Sequence, residues 1–259
     1  MRGQQRLYLV YGIHPVRTLL RKAPERVLHI WISQQRRDRR LLEIVSQAQE
    51  MGISIEEVPP ETLSRLSEGG NHQGVVVQAR LPKTLSEDGL FEQLRNPPRQ
   101  EPPLYLVLDR VQDPHNLGAC LRTSDAVGVW GVVTPKDRAV GLTPTVCRVA
   151  CGAAETVPIF RVTNLARTLV RLKREEIWVV GADGGADRIA FETDLSGPLA
   201  LVVGAEGTGL RRLVRERCDL LVRLPMRGAV ESLNLSVAAG VLLYEVFRQR
   251  LNFSNPSGA

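Results

Sequence analysis

Five near-continuous apolar runs constrain the second half of this chain: Leu104–Leu108, Val129–Val133, Ile177–Gly181, Leu199–Val203 and Leu220–Leu224. A strand with one wet face alternates apolar and polar residues; these runs do not. They read as strands covered on both sides, the condition met by a parallel sheet whose connections are helices lying on its two faces. Stretches of helical periodicity separate them, which predicts an α/β unit over residues 104–252.

The first 81 residues read as a smaller α/β unit. Strand-like segments at Tyr8–Tyr11, Val27–Ser33, Ile53–Val58 and Gly74–Ala79 alternate with helical ones at Pro15–Lys22, Arg39–Met51 and Glu61–Leu66. Residues 82–103 hold several prolines and little continuous apolar pattern, so they are expected to be a linker with at most one helical turn at Leu90–Leu94. Residues 253–259 read as a flexible tail.

Composition narrows the function classes. With 259 residues, 43% hydrophobic and 24% charged, the chain holds enough apolar material for a substantial core and is not a disordered polymer. Its charge of +6 favours anionic partners without naming one. Only four of the 34 basic residues are lysine. Arginine suits phosphate contact, although codon bias gives the same excess. The four cysteines form no CxxC pair and have no histidines at ligand spacing, so no metal is expected and buried free thiols are. The N-terminus lacks the apolar core of a signal peptide, and no run approaches the length of a membrane span, so a cytoplasmic protein with no membrane partner is expected.

Three segments carry the chemistry. In Leu104–Asp125 an apolar run ends in a loop closed by Asp113-Pro114, followed by a helix bearing Asn116 and Arg122. Leu201–Leu210 ends in a glycine-rich loop with one acid, Glu206. In Leu224–Tyr244 a polar turn carries Ser232 and Asn234 against the start of a helix, where both residues are also good N-caps. Small residues at Ser236 and Ala238–Gly240 predict close approach of another backbone, and Leu233, Val237, Val241 and Tyr244 recur at the spacing of a buried stripe.

Together these segments resemble the SpoU (TrmH-type) branch of the SPOUT RNA methyltransferases, with Asn116 and Arg122, Gly204 and Glu206, and Pro225, Ser232 and Asn234 in the family's order. The resemblance covers residues 7–252. It implies an L30e-like RNA-binding module followed by an α/β-knot domain, a parallel sheet tied into a trefoil by threading residues 220–250. Gly12-Ile13-His14-Pro15 and His72-Gln73-Gly74 look like markers of the module. It further implies S-adenosyl-L-methionine as cofactor, lined by Gly204, Leu224, Met226 and Leu233, and a homodimer with the helix over Leu233–Arg248 as interface. The implied catalytic set is Arg122, Asn116, Glu206, Ser232 and Asn234. Arg122 would anchor a phosphate and steady the developing oxyanion, because a guanidinium gives up its proton too reluctantly to be a comfortable base. Asn116, six residues earlier and about 240° round a helix, would sit in the loop or N-cap. Glu206 would pair with a cation or only fasten its loop.

The two-domain plan looks most like enzymes that methylate a guanosine 2′-hydroxyl in the peptidyl-transferase region of 23S rRNA. A tRNA guanosine, an rRNA adenosine (the thiostrepton-resistance type) and non-catalytic RNA binding are the alternatives. A dinucleotide-binding enzyme fits less well, since Gly204, Gly207 and Gly209 lack the G-x-G-x-x-G spacing. Arg36, Arg37, Arg39 and Arg40 are either a solvated helix start or a phosphate contact.

Overall fold

A computed structural model of the chain describes residues 7–253. Two compact units emerge among the described residues, one comprising 7–83 with 142–156 and the other 84–141 with 157–253.

In the first unit the order is β1 (Leu7–Tyr11), α1 (Ile13–Lys22), β2 (Val27–Ser33), α2 (Arg39–Glu50), β3 (Ile55–Val58), α3 (Pro60–Leu66) and β4 (Val75–Arg80). The sheet order is β1-β4-β2-β3, with β4 antiparallel to both neighbours and β3 parallel to β2. Asp38 caps α2 by accepting from the Arg40 and Leu41 N–H groups. The first N–H of α1 is satisfied from far away in sequence: Gln73 Oε1 accepts from Ile13 N at 2.9 Å. The two marker segments therefore meet, and His72 shapes its loop while His14 lies exposed within α1. His72 Nδ1 accepts from Gly74 N at 3.1 Å, and burial beside Arg36 holds its pKa below the ordinary histidine value.

The second unit runs β5 (Leu85–Ser86), α4 (Glu87–Arg95), β6 (Leu104–Asp109), α5 (Pro114–Ala126) and β7 (Gly131–Pro135). After α6 (Pro144–Val149), which belongs to the first unit, it resumes with β8 (Ile159–Val162), α7 (Leu165–Arg174), β9 (Trp178–Ala182) and β10 (Arg188–Ile189). It ends with β11 (Leu199–Gly204), α8 (Arg212–Arg215), β12 (Leu220–Arg223) and α9 (Leu235–Phe253). The eight strands form one parallel sheet ordered β10-β12-β9-β11-β6-β7-β8-β5. All five expected strands are present, and every residue of β6 is buried. On one face Tyr105 meets Trp130 and Phe160 edge to ring at 6.3 and 6.4 Å.

The expected boundaries require correction in three places. Residues 84–95 are not linker: β5 extends the sheet beside β8, Leu90 and Phe91 enter the core, and Glu87 pairs with Arg171 at 2.7 Å. Residues 142–156 leave the second unit's sequence to pack with the first. There Glu155 accepts hydrogen bonds from Tyr8 Oη and from the Arg26 guanidinium, and its side chain is only 3% exposed. The expected tail begins within α9, which runs to Phe253; residues 254–259 lie outside those described.

None of the four cysteines is in a disulfide. Burial pushes the thiols of Cys120, Cys147 and Cys218 up to about 12. At pH 8 a thiol-specific chromogenic reagent should therefore react promptly with about one equivalent, Cys151, and with all four after denaturation. Prompt reaction of three or four native thiols would contradict this packing.

Candidate active site

Strands β6 and β11 run side by side in register, Gly204 opposite Asp109, so the loops leaving their carboxyl ends start as neighbours. Ligands in open parallel sheets collect at such ends. The loop after β11 folds back on itself: Gly209 N donates to Ala205 O at 2.9 Å, with Gly207 and Gly209 in the left-handed region at φ 72 and 60. Buried Asp109 fastens its far end by accepting from Arg211 N at 2.9 Å and Arg211 Nε at 2.7 Å. The sequence signal for this clamp was the lone acid closing an apolar strand.

Gly204 leaves no room for a side chain, since a Cβ there would lie 2.2 Å from the Gly209 carbonyl carbon and 2.4 Å from Leu210 N. Forcing such backbone atoms apart costs about 1–3 kcal/mol or more. Gly204→Ala should therefore weaken cofactor binding by about ten-fold or more, read by calorimetric titration. Unchanged affinity would show that this turn does not shape the pocket.

Three expected site residues converge through one hydrogen-bonded triangle. Asn116 Nδ2 donates to Glu206 Oε1 at 3.1 Å, and Asn234 Nδ2 donates to Asn116 Oδ1 at 3.0 Å and also to Glu206 Oε1. Glu206 further accepts from Leu235 N at 3.4 Å. Asn234 is the N-cap of α9, its Oδ1 accepting from Ser236 N at 2.9 Å and Val237 N at 3.4 Å. The carboxylate thus rests on the positive end of that helix. Capping and site-building are one arrangement here, and Glu206 fastens its loop through amides.

Beside the triangle lies a cavity of about 500 Å³. Gly204, Leu224, Met226 and Leu233 line it, as do Glu206, Ser232 and Asn234. Asp183, Arg223 and Glu231 also line it and were missed in sequence. Arg223 had a signal, as the one cation inside the Leu220–Leu224 run. Asp183 had none, because its partner Arg215, at 2.7 Å, lies 32 residues on and holds its carboxyl below the usual range.

Other expectations are met differently. Asn116 is neither loop nor N-cap: Asp113 caps α5, accepting from His115 N at 2.9 Å, and Asn116 lies buried within the first turn. Arg122 is exposed on α5 and is not part of the cavity lining of its own chain. The stripe Leu233, Val237, Val241 and Tyr244 is exposed rather than buried, with Val237 at 51% and Tyr244 at 52%. The face of α9 that enters the core carries Leu235, Ala239, Leu242, Leu243 and Val246. The close backbone approach expected at the small residues is only an ordinary contact at Gly240, where a Cβ would meet the Thr123 side chain of α5 at 3.8 Å. In the first unit Arg36, Arg37 and Arg39 pair with Asp38, Glu57 and Glu43 on the surface, so intramolecular charge already occupies three of the four clustered arginines.

A parallel α/β domain whose glycine-rich loop, asparagine pair and helix cap enclose a cofactor-sized cavity defines the class. The chain belongs to the SpoU rRNA methylase family, whose profile matches residues 103–244. Residues 9–85 match the RNA 2′-O ribose methyltransferase substrate-binding module. It is 50% identical over 242 residues to the 23S rRNA (guanosine-2′-O-)-methyltransferase RlmB of Shewanella oneidensis, covering 93% of this chain and 97% of that protein. The RlmB of Haemophilus influenzae is likewise 50% identical over 243 residues, covering 93% and 98%. Among solved structures, the SpoU methyltransferase AviRb of Streptomyces viridochromogenes in complex with AdoMet superposes with a TM-score of 0.76 at 25% identity, covering 97% of this chain and 95% of that one. An RNA 2′-O ribose methyltransferase superposes with a TM-score of 0.75 at 28% identity, covering 96% and 91%.

Proposed function

We propose that this chain methylates the 2′-hydroxyl of a guanosine in 23S rRNA, in the peptidyl-transferase region, using S-adenosylmethionine in the cytoplasm. The observation that carries the reading is half identity, over nearly the whole of both chains, to enzymes of that activity.

The residues present suit the cofactor. A cavity of about 500 Å³ has apolar walls from Leu224, Met226 and Leu233, and a turn at Gly204 packed so closely on the Gly209–Leu210 backbone that it admits no Cβ. When bound, the cofactor supplies a methyl group already activated for displacement. The protein's share is alignment and charge stabilisation. Asn116, Glu206 and Asn234 hold the loops that shape the cavity, and Ser232 presents a hydroxyl at its wall. Arg122 anchors a substrate phosphate and steadies negative charge on the ribose oxygen.

The position of Arg122 supports a homodimer. It precedes Thr123, which packs on Gly240, and α9 turns the apolar stripe Val237, Val241 and Tyr244 to the surface. Pairing two copies through that stripe covers it, and brings each Arg122 towards its partner's cavity.

The test is transfer of labelled methyl from S-adenosylmethionine to 23S rRNA by purified protein, with digestion to nucleosides. The reading expects 2′-O-methylguanosine from 23S rRNA and none from tRNA. Label in 2′-O-methyladenosine or in tRNA would overturn the substrate assignment. No label in any RNA, with cofactor still bound, would support a binding protein instead.

A further inference from the structure

Two arginines of the second unit adopt the left-handed conformation that disfavours side chains, Arg110 at φ 64 and Arg138 at φ 54. They belong to adjoining loops at the carboxyl ends of neighbouring strands: Arg110 directly follows β6, and Arg138 lies three residues beyond β7. The loops are joined, with Val140 N donating to Val111 O at 2.8 Å. Both are held from behind. Asp109 is locked to Arg211, and Arg161 Nη2 donates to the carbonyls of Pro135, Lys136 and Ala139. A Cβ at Gly141 would lie 2.5 Å from an Arg161 nitrogen, so the loop closes tightly over that guanidinium.

Strained backbone persists only where its surroundings over-determine it, and it concentrates at ligand clamps. The strain here carries cations. Arg110 Nε is buried and has no hydrogen-bond partner among the described residues. Lys136 and Arg138 are exposed on the other loop, with Asp137 between them. Asn116 of the triangle lies six residues beyond Arg110, and Gly204 of the cavity pairs with the residue before it.

We propose that the joined loops 110–113 and 136–141 form a clamp for an RNA backbone phosphate beside the methyl-transfer cavity, with Arg110 and Arg138 as its cationic jaws. This rests on the RNA-methyltransferase reading of the same site. The left-handed turns fix the backbone from which both arginine side chains leave, so the loops need no reordering when RNA arrives.

Arg110→Gly and Arg138→Gly test this cleanly, because glycine removes the cation while relieving the backbone. In the full-length protein each substitution should weaken binding of a 23S rRNA transcript by about ten-fold at moderate salt and lower the slope of log affinity against log salt by about one. The melting temperature should stay or rise, and affinity for S-adenosylmethionine should not move. Arg110→Lys and Arg138→Lys should keep most of the salt slope. Wild-type affinity and slope in both glycine variants would overturn the clamp, as would a fall in melting temperature that tracks the RNA defect. Wild-type protein is run alongside: if it methylates no RNA, the function assigned above fails, whereas active wild type with unaffected glycine variants sinks the clamp alone.

Discussion

Replacing Arg122 by alanine will lower the rate of methyl transfer to rRNA by about 10²–10³-fold, the usual effect of removing one preorganised donor at a developing oxyanion. Affinity for S-adenosylmethionine will hold, because the arginine's proposed contacts are with the substrate's phosphate and ribose oxygen rather than with the cofactor. Its position makes a sharper test available. Gly204→Ala damages the cavity but leaves Arg122 intact. If the arginine serves the partner's site, then at S-adenosylmethionine too dilute to load the Gly204→Ala cavity, co-refolded mixtures of the two variants regain about a quarter of wild-type activity, since half the dimers are mixed and one site in each is whole. An arginine acting within its own chain gives no recovery. Normal methylation by Arg122→Ala would remove it from the chemistry altogether.

The second large effect concerns stability. Substituting Glu155 by leucine leaves the Arg26 guanidinium, 15% exposed at its side chain, without its carboxylate and deprives the Tyr8 hydroxyl of its acceptor. Stranding a buried charge in this way costs about 3–5 kcal/mol, measured by denaturant unfolding. Burial, the largest cause of the raised Tyr8 pKa, persists without Glu155, so the phenol stays protonated and cannot compensate. Combining Glu155→Leu with Arg26→Met should recover most of the loss, since apolar packing replaces a buried pair at little net cost. A single variant as stable as wild type would show that residues 142–156 are not held by this pair.

Legibility in the sequence followed the range of the forces involved. Long apolar strands such as Leu104–Leu108 and Leu199–Val203 announce themselves, because burial on both faces leaves no polar alternation. Shorter strands do not. β5 and β10 have two residues each, and β8 has four with an arginine among them. Local capping was readable too, and Asn234 performs it. What escaped depends on partners far away in sequence. Nothing near Glu155 announces Arg26, 129 residues earlier. Spacing alone placed the stripe Val237, Val241 and Tyr244 on a single helical face without saying whether that face met core or solvent. The contact between Asn116 and Glu206 spans 90 residues and was not foreseen, since Glu206 was expected to pair with a cation or only to fasten its loop. Asn116 and Arg122 do lie on different faces, one buried and the other exposed, but both are within α5, so the placement of Asn116 in the loop or N-cap drawn from that angle failed.

The central claim is that the cavity framed by Gly204, Leu224 and Asn234 serves ribose methylation of large-subunit RNA. Mapping every 2′-O-methylated position in 23S rRNA, from cells with and without this gene, tests it most directly. Loss of a single methylated guanosine in the peptidyl-transferase region, restored by the wild-type gene but not by one encoding Gly204→Ala, is the result expected. An unchanged 23S rRNA map in the deletion strain would contradict it.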